Sequence, residues 1–133
     1  MNTQEKNLTT ALDMYRSMDA VDLEAVKKNI SPQAKAYFAG QQMDVEAWLT
    51  TGQVFMKAFP DGRHVFDLAD AAGDYVVLHG YFEATHKGEF HGMPPTGKKI
   101  KCSMTIIDKL VDGKLVEHRG DFDGAGMMAQ LTA

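Results

Sequence analysis

Few residues of this chain could do chemistry, and two of them share an apolar neighbourhood. In the stretch 98–123, two strand patterns meet at Asp112-Gly113, a dipeptide that favours a tight hairpin. Side chains alternate between faces along a strand. A three- or five-residue loop at Asp-Gly aligns the even positions of both strands. Cys102, Met104, Ile106 and Asp108 then share a face with Val116, His118, Gly120 and Phe122. Only Asp108 and His118 break the apolar character of that face. An imidazole titrates near neutrality, so it can take or give a proton, and a neighbouring carboxylate can orient it. The functional expectation is His118 as acid or base with Asp108 in support. The structural alternative is a core histidine, since buried polar side chains are nearly always paired. Thr105, Ile107, Lys109, Leu115, Glu117, Arg119 and Asp121 form the opposite face, which reads as facing solvent or a second subunit. Asp121 turns inward only if Gly120 marks a β-bulge.

Other chemistries lack their residues. His64, His79, His86 and His91 are scattered, without the spacing of a metal pair, and Cys102 is the single cysteine. No metal is therefore expected. Phosphate loops, nucleophile elbows and dinucleotide fingerprints are missing. Eighteen acidic residues against 14 basic ones give a net charge of −4. The one basic cluster, Lys98, Lys99 and Lys101, reads as a solvated strand end, so nucleic acid is not an expected partner. No purely apolar run is longer than that at residues 75–78, far short of the roughly 20 residues needed to span a bilayer, so no membrane is expected either. The polar start of the chain lacks a secretory pattern, which makes a cytoplasmic, reducing setting the default expectation.

The elements that must position these residues change character near residue 60. The 133 residues, 44% apolar and 24% charged, suit one globular domain over 1–133. Leu8, Ala11, Leu12, Tyr15 and Met18 recur at helical spacing. Asp22 can cap a second helix that buries Leu23, Val26 and Ile30 before Ser31-Pro32 ends it. Residues 33–38 read as extended. Asp44 can cap a third helix carrying Trp48, Leu49, Phe55, Met56 and Phe59, weakened by Gly52 and stopped at Pro60-Asp61-Gly62. Beyond it, strands are expected over 64–70, 75–85, 98–111 and 114–123. Helices followed by strands argue an α+β fold, about three helices on a curved antiparallel sheet. Met14, Met18, Met56 and Met104 are flexible fillers of such a core.

Four stretches in this order carry a resemblance. They are Phe59-Pro60-Asp61, the run from Thr85 through Gly-Glu-Phe-His-Gly-Met-Pro-Pro-Thr-Gly at 88–97, the hairpin from Asp112-Gly113 to His118, and 123–131. The chain resembles the SnoaL-like polyketide (ester) cyclases of the nuclear transport factor 2-like superfamily. That resemblance implies a cone, a curved sheet wrapped by helices around a deep apolar cavity. Tyr15, Tyr37, Trp48 and Phe55 from the helical half would line it, with Met104, Ile106, Gly120 and Phe122 from the strands. Met93-Pro94-Pro95 would stiffen a loop at its rim. It also implies ring closure of an aromatic polyketide ester by one aspartate on the last strand, without metal or cofactor. Here the sequence departs. The family's aspartate follows directly after a His-Arg or His-Trp pair, and His118-Arg119 is followed by Gly120. The histidine that partners the family's aspartate falls at Ile106.

Three functions are consistent with these residues. One is acid–base chemistry of cyclase or isomerase type on a small hydrophobic carbonyl or polyketide-like compound, carried by His118 with Asp108 or Asp121. Another is a non-catalytic module that holds a small apolar ligand in the same cavity, motivated by Gly120. The last is a homodimer formed through the sheet, motivated by Leu115 and Ile107 among the charges of the outward face.

Overall fold

Each helix begins at a side chain that accepts from its exposed N-terminal amides. The computed structural model describes Met1–Ala133. Helix α1 (Thr3–Asp19) is capped by Asn2, whose side chain accepts from the Glu5 N–H at 2.8 Å. Helix α2 (Leu23–Lys28) is capped by Asp22, and α3 (Val45–Ala58) by Asp44, which accepts from Ala47 at 2.8 Å. Such caps contribute about 1 kcal/mol each. Helix α3 continues through Gly52 without a break. Helix α2 is shorter than its pattern suggests, because Ile30 already opens a strand.

The chain forms six strands, and burial alternates most clearly along two of them, residues 75–85 and 99–111. The six are β1 (Ile30–Phe38), β2 (Gln41–Asp44), β3 (Arg63–Ala72), β4 (Tyr75–Thr85), β5 (Lys99–Val111) and β6 (Lys114–Phe122). They form one curved open sheet in the order β2-β1-β6-β5-β4-β3. The sheet is not wholly antiparallel as expected: β1 lies parallel to β6. Alternation reveals which face of a strand is buried, but not which strand lies beside it. Helices α1 and α3 pack on the sheet, and their apolar stripes join the inner strand faces in a single core. No helix is long and apolar enough to cross a membrane.

The β5–β6 hairpin departs from expectation in a way that matters for the site. Its turn has two residues, Asp112 and Gly113, both with positive φ (52° and 76°), closing the pair Val111 and Lys114. That turn alone would set Asp108 opposite Glu117. The pairing then slips by one residue: Leu110 faces Leu115, but Lys109 faces Glu117, so Val116 is an extra residue on β6. The bulge restores even-to-even pairing, and Asp108 faces His118, Ile106 faces Gly120 and Met104 faces Phe122. It also corrects Leu115, expected on the outward face, which is 1% exposed and sits in the core beside Leu110.

A fourth helix, α4 (Gly124–Thr132), was not expected from the sequence. Asp123 caps it at the Gly126 N–H, 2.8 Å away. Strand β6 ends opposite Met104, so the first residues of β5 lack a partner on that edge. The Gln130 amide supplies one, accepting from the Lys101 N–H at 2.7 Å and donating to its carbonyl at 3.0 Å.

The loop between β4 and β5 also lies elsewhere than expected. The Lys87 and Gly88 amides donate to the Ala58 carbonyl at 3.0 Å and so close the C-terminus of α3. A Cβ at Gly88 would lie 2.2 Å from the Lys57 carbonyl oxygen, which explains the glycine. Phe90 is buried in the core with Met93 against it, while residues 88–97 contribute nothing to the cavity wall.

Candidate active site

Three side chains from three elements meet beneath the sheet. Asp108 on β5 is fully buried, and His118, directly across on β6, is 5% exposed. The Nδ1–H of His118 donates to Asp108 Oδ1 at 2.7 Å. Tyr15, from the inward stripe of α1, donates its hydroxyl proton to Asp108 Oδ2 at 2.7 Å. The phenol oxygen also lies 3.1 Å from His118 Nδ1, a second contact for the same N–H. The carboxylate thus receives one donor on each oxygen, as a buried charge requires. Burial, then the charge of Asp108 and the hydrogen bond to it, hold the Tyr15 pKa well above the usual phenol range. Tyr15 is therefore a hydrogen-bond donor to Asp108 at neutral pH.

With Nδ1 committed to Asp108, the neutral imidazole carries its lone pair on Nε2. No protein group bonds that nitrogen. The ring leans along β6 over Gly120: a Cβ on residue 120 would stand 2.8 Å from Nε2. From the other side Trp48 of α3 stacks on the imidazole, with centroids 4.3 Å apart and planes 23° apart. The imidazole tip occupies the space a side chain at position 120 would need.

His118 and Tyr15 form part of the wall of a cavity of about 160 Å³, bounded largely by apolar side chains. Trp48, Phe55, Met104, Ile106, Gly120 and Phe122 belong to the same wall. Asp108 lies behind His118 and does not. Two positions depart from the sequence reading. Tyr37 is on the outer face, because it pairs with Arg119, whose guanidinium lies 4.3 Å from the ring centroid; Phe38 takes the inward position. Asp121 borders the cavity but is exposed and pairs with Thr105 in regular register, so no bulge at Gly120 turns it inward. No three His, Cys, Asp or Glu side chains converge as a metal-ligand set.

Among the wall residues that the sequence reading did not place there, one has an ionisable side chain. His64, at the start of β3, lines the cavity and lies 5.2 Å from the Tyr15 ring between centroids. Its Nδ1–H donates to Asp19 Oδ1 at 2.6 Å, and its backbone N–H donates to Oδ2 at 3.0 Å. The partners are 45 residues apart, and no local pattern links them. His86, by contrast, is structural. Its Nδ1 accepts from the Thr96 N–H at 3.2 Å, and its ring packs on Phe59.

Comparison with known proteins bears on this arrangement. The family model for SnoaL-like polyketide cyclase matches residues 9–131. Nogalonic acid methyl ester cyclase of Streptomyces nogalater is 37% identical over 57 residues, which are 43% of this chain and 40% of that protein. The chain therefore aligns with less than half the length of that curated relative. The structure of AclR from Streptomyces galilaeus, a candidate hydroxylase, superposes with a TM-score of 0.92 at 27% identity, covering 98% of this chain and 83% of that one. Wild-type IdmH from Streptomyces antibioticus, a candidate polyketide cyclase, superposes with a TM-score of 0.87 at 29% identity, covering 96% and 99%. One fold thus carries differing activity assignments, and the site has to decide the chemistry.

Proposed function

The chain belongs to the SnoaL-like polyketide cyclase family, and within it we propose acid–base catalysis of cyclase or isomerase type on a small hydrophobic carbonyl compound, with His118 as the proton carrier. The observation that carries this reading is the spare Nε2 of an imidazole whose other nitrogen is fixed by buried Asp108 and Tyr15. A proton next to a carbonyl leaves readily once the resulting charge is spread onto oxygen. The protein then needs one well-placed base and a water-poor pocket to hold the reactant. Trp48 and Phe55 supply flat apolar walls for a ring. A cavity near 150 Å³ elsewhere holds benzene, so about 160 Å³ encloses one aromatic ring and leaves the remainder of a larger compound at the mouth. In this reading His118 takes over the role that the resemblance gives to an aspartate at position 120. Asp108 is a positioning residue.

The test uses β-tetralone, a hydrophobic ketone with acidic protons beside its carbonyl. Its hydrogen–deuterium exchange in deuterated buffer is followed by proton NMR. The protein should accelerate exchange, and His118→Asn should remove the acceleration. A second reading is favoured by Gly120 alone: a holding module without chemistry. In that case the ketone raises the melting temperature, by the equivalent of about 2.7 kcal/mol at 100 times its Kd, while exchange stays at the buffer rate.

A further inference from the structure

The cavity contains a second imidazole fixed in the same manner as the first, and nothing in the reading above uses it. Asp19, at the end of α1, takes the Nδ1–H and the backbone N–H of His64 and so commits one ring nitrogen. His64 Nε2 has no protein partner, and the ring lines the cavity. Both histidines pack on the Tyr15 phenol, with centroids 5.2 Å (His64) and 6.5 Å (His118) away. The phenol itself is committed to Asp108. The surroundings of His64 are otherwise apolar, with Phe66 and Phe82 at 6.1 and 5.3 Å. A link needed only to tie α1 to β3 could be made at the surface. This one places a part-buried imidazole edge on the cavity wall with no protein partner at Nε2, open to a ligand in the cavity.

We propose that His64 is the general acid of this cavity: its Nε2–H binds and protonates the ligand's carbonyl oxygen while His118 removes the neighbouring carbon-bound proton. The inference rests on the acid–base reading of His118. The step requires a proton on each ring nitrogen of His64, one held by Asp19 at Nδ1 and one offered to the ligand at Nε2. His118 Nε2 takes the proton from carbon, and the C–H electron pair becomes the carbon–carbon double bond. The carbonyl π pair moves to oxygen, which takes the proton from His64 Nε2. The product is the enol, with His118 now protonated and His64 neutral; the reverse passage restores both. Two imidazoles with opposite proton occupancy avoid a free enolate in an apolar site, where its charge would be poorly solvated. The ligand class narrows to hydrophobic ketones or esters whose carbonyl oxygen reaches β3 while the acidic carbon lies over β6.

The same exchange assay with β-tetralone separates the two claims. His64→Gln and Asp19→Asn should each slow catalysed exchange at saturating ketone by about 10²-fold, the ordinary contribution of a general acid. Trp48 fluorescence, which reports the His118 stack, should remain as in the parent protein. Thermal unfolding of each variant shows that it is folded under the assay conditions. Exchange that vanishes in His118→Asn but keeps its full rate in folded His64→Gln overturns the role of His64 alone. Absence of exchange in the unaltered protein overturns the reading of His118 and this one with it.

Discussion

Asp108 and His118 are bonded at 2.7 Å because Val116 is one residue too many for its strand. The two-residue turn at Asp112-Gly113 would pair Asp108 with Glu117, and the bulge moves His118 into that place. β-Bulges commonly re-aim a side chain near functional sites. Here the bulge converts an ordinary hairpin into a carboxylate–imidazole pair, with Tyr15 closing it from α1.

Replacing Asp108 by Asn should switch the tautomer of His118. An amide can present its NH2 group to Nδ1, which then accepts, and the ring proton moves to Nε2. The nitrogen facing the cavity is no longer a base. Catalysed exchange of β-tetralone should fall by about 10²–10⁴-fold, the range expected when a general base is lost. Nitrogen-15 NMR of the imidazole checks the cause. An unchanged tautomer together with an unchanged rate would remove Asp108 from the mechanism.

Gly120→Ala should displace the imidazole. The added methyl would stand 2.8 Å from Nε2, with Trp48 stacked on the ring from the other side. Overpacking of this kind costs about 1–3 kcal/mol. Urea unfolding should register that loss, and Trp48 fluorescence should change as the stack opens. If stability and fluorescence both match the parent protein, His118 does not need the space that glycine leaves.

Much of this site was legible before the fold was known, but for partly wrong reasons. Alternation alone placed Asp108 and His118 on one apolar face, and the helical stripe of α1 aimed Tyr15 inward. The expected loop length was incorrect; the bulge at Val116 repaired the parity and carried Leu115 inside. Tyr37 was misplaced because β1 lies parallel to β6, and only that pairing sets Tyr37 beside Arg119. Helix α4 was missed because Gly124, Ala125 and Gly126 are poor evidence of a helix, and its hold on the sheet comes from the side chain of Gln130. The Asp19–His64 pair was invisible for a different reason. A contact between the end of one helix and the start of a strand 45 residues later leaves no periodic trace.

Stability should decline in alkali through two buried groups. Burial, reinforced by the charge of Asp123, raises the Cys102 thiol from 9.0 to about 11. Burial and Asp108 raise Tyr15 well above its usual value near 10. Below those ordinary values both groups are protonated whether the chain is folded or not. Above them the unfolded chain releases protons that the folded chain retains, so unfolding is favoured as pH rises. The thiol contribution ends by about pH 11, and that of the phenol continues. Cys102→Ala should therefore shallow the first part of the decline in urea midpoint, and Tyr15→Phe the later part. Tyr15→Phe also leaves Asp108 Oδ2 without a donor, at about 1–3 kcal/mol near neutrality. Parallel declines in all three proteins would contradict both assignments.

Acid should act through the turn that ends α3. Slight burial pushes the Asp61 carboxyl upward, but hydrogen bonds from the Thr85 N–H and hydroxyl, both at 2.7 Å, and the charge of Lys87 outweigh it, leaving the pKa below the usual 3.8. A lowered carboxyl stabilises the fold at pH values above its unfolded pKa, and that contribution is lost as pH falls through the folded one. Between those two values the unfolded chain binds the proton that the folded chain refuses. Asp61→Asn cannot titrate. Its urea midpoint should be lower than that of the parent at neutral pH, and the gap should close as the pH is taken below 3.8. A gap that stays constant down to strong acid would show that Asp61 holds the turn by shape alone, without its charge.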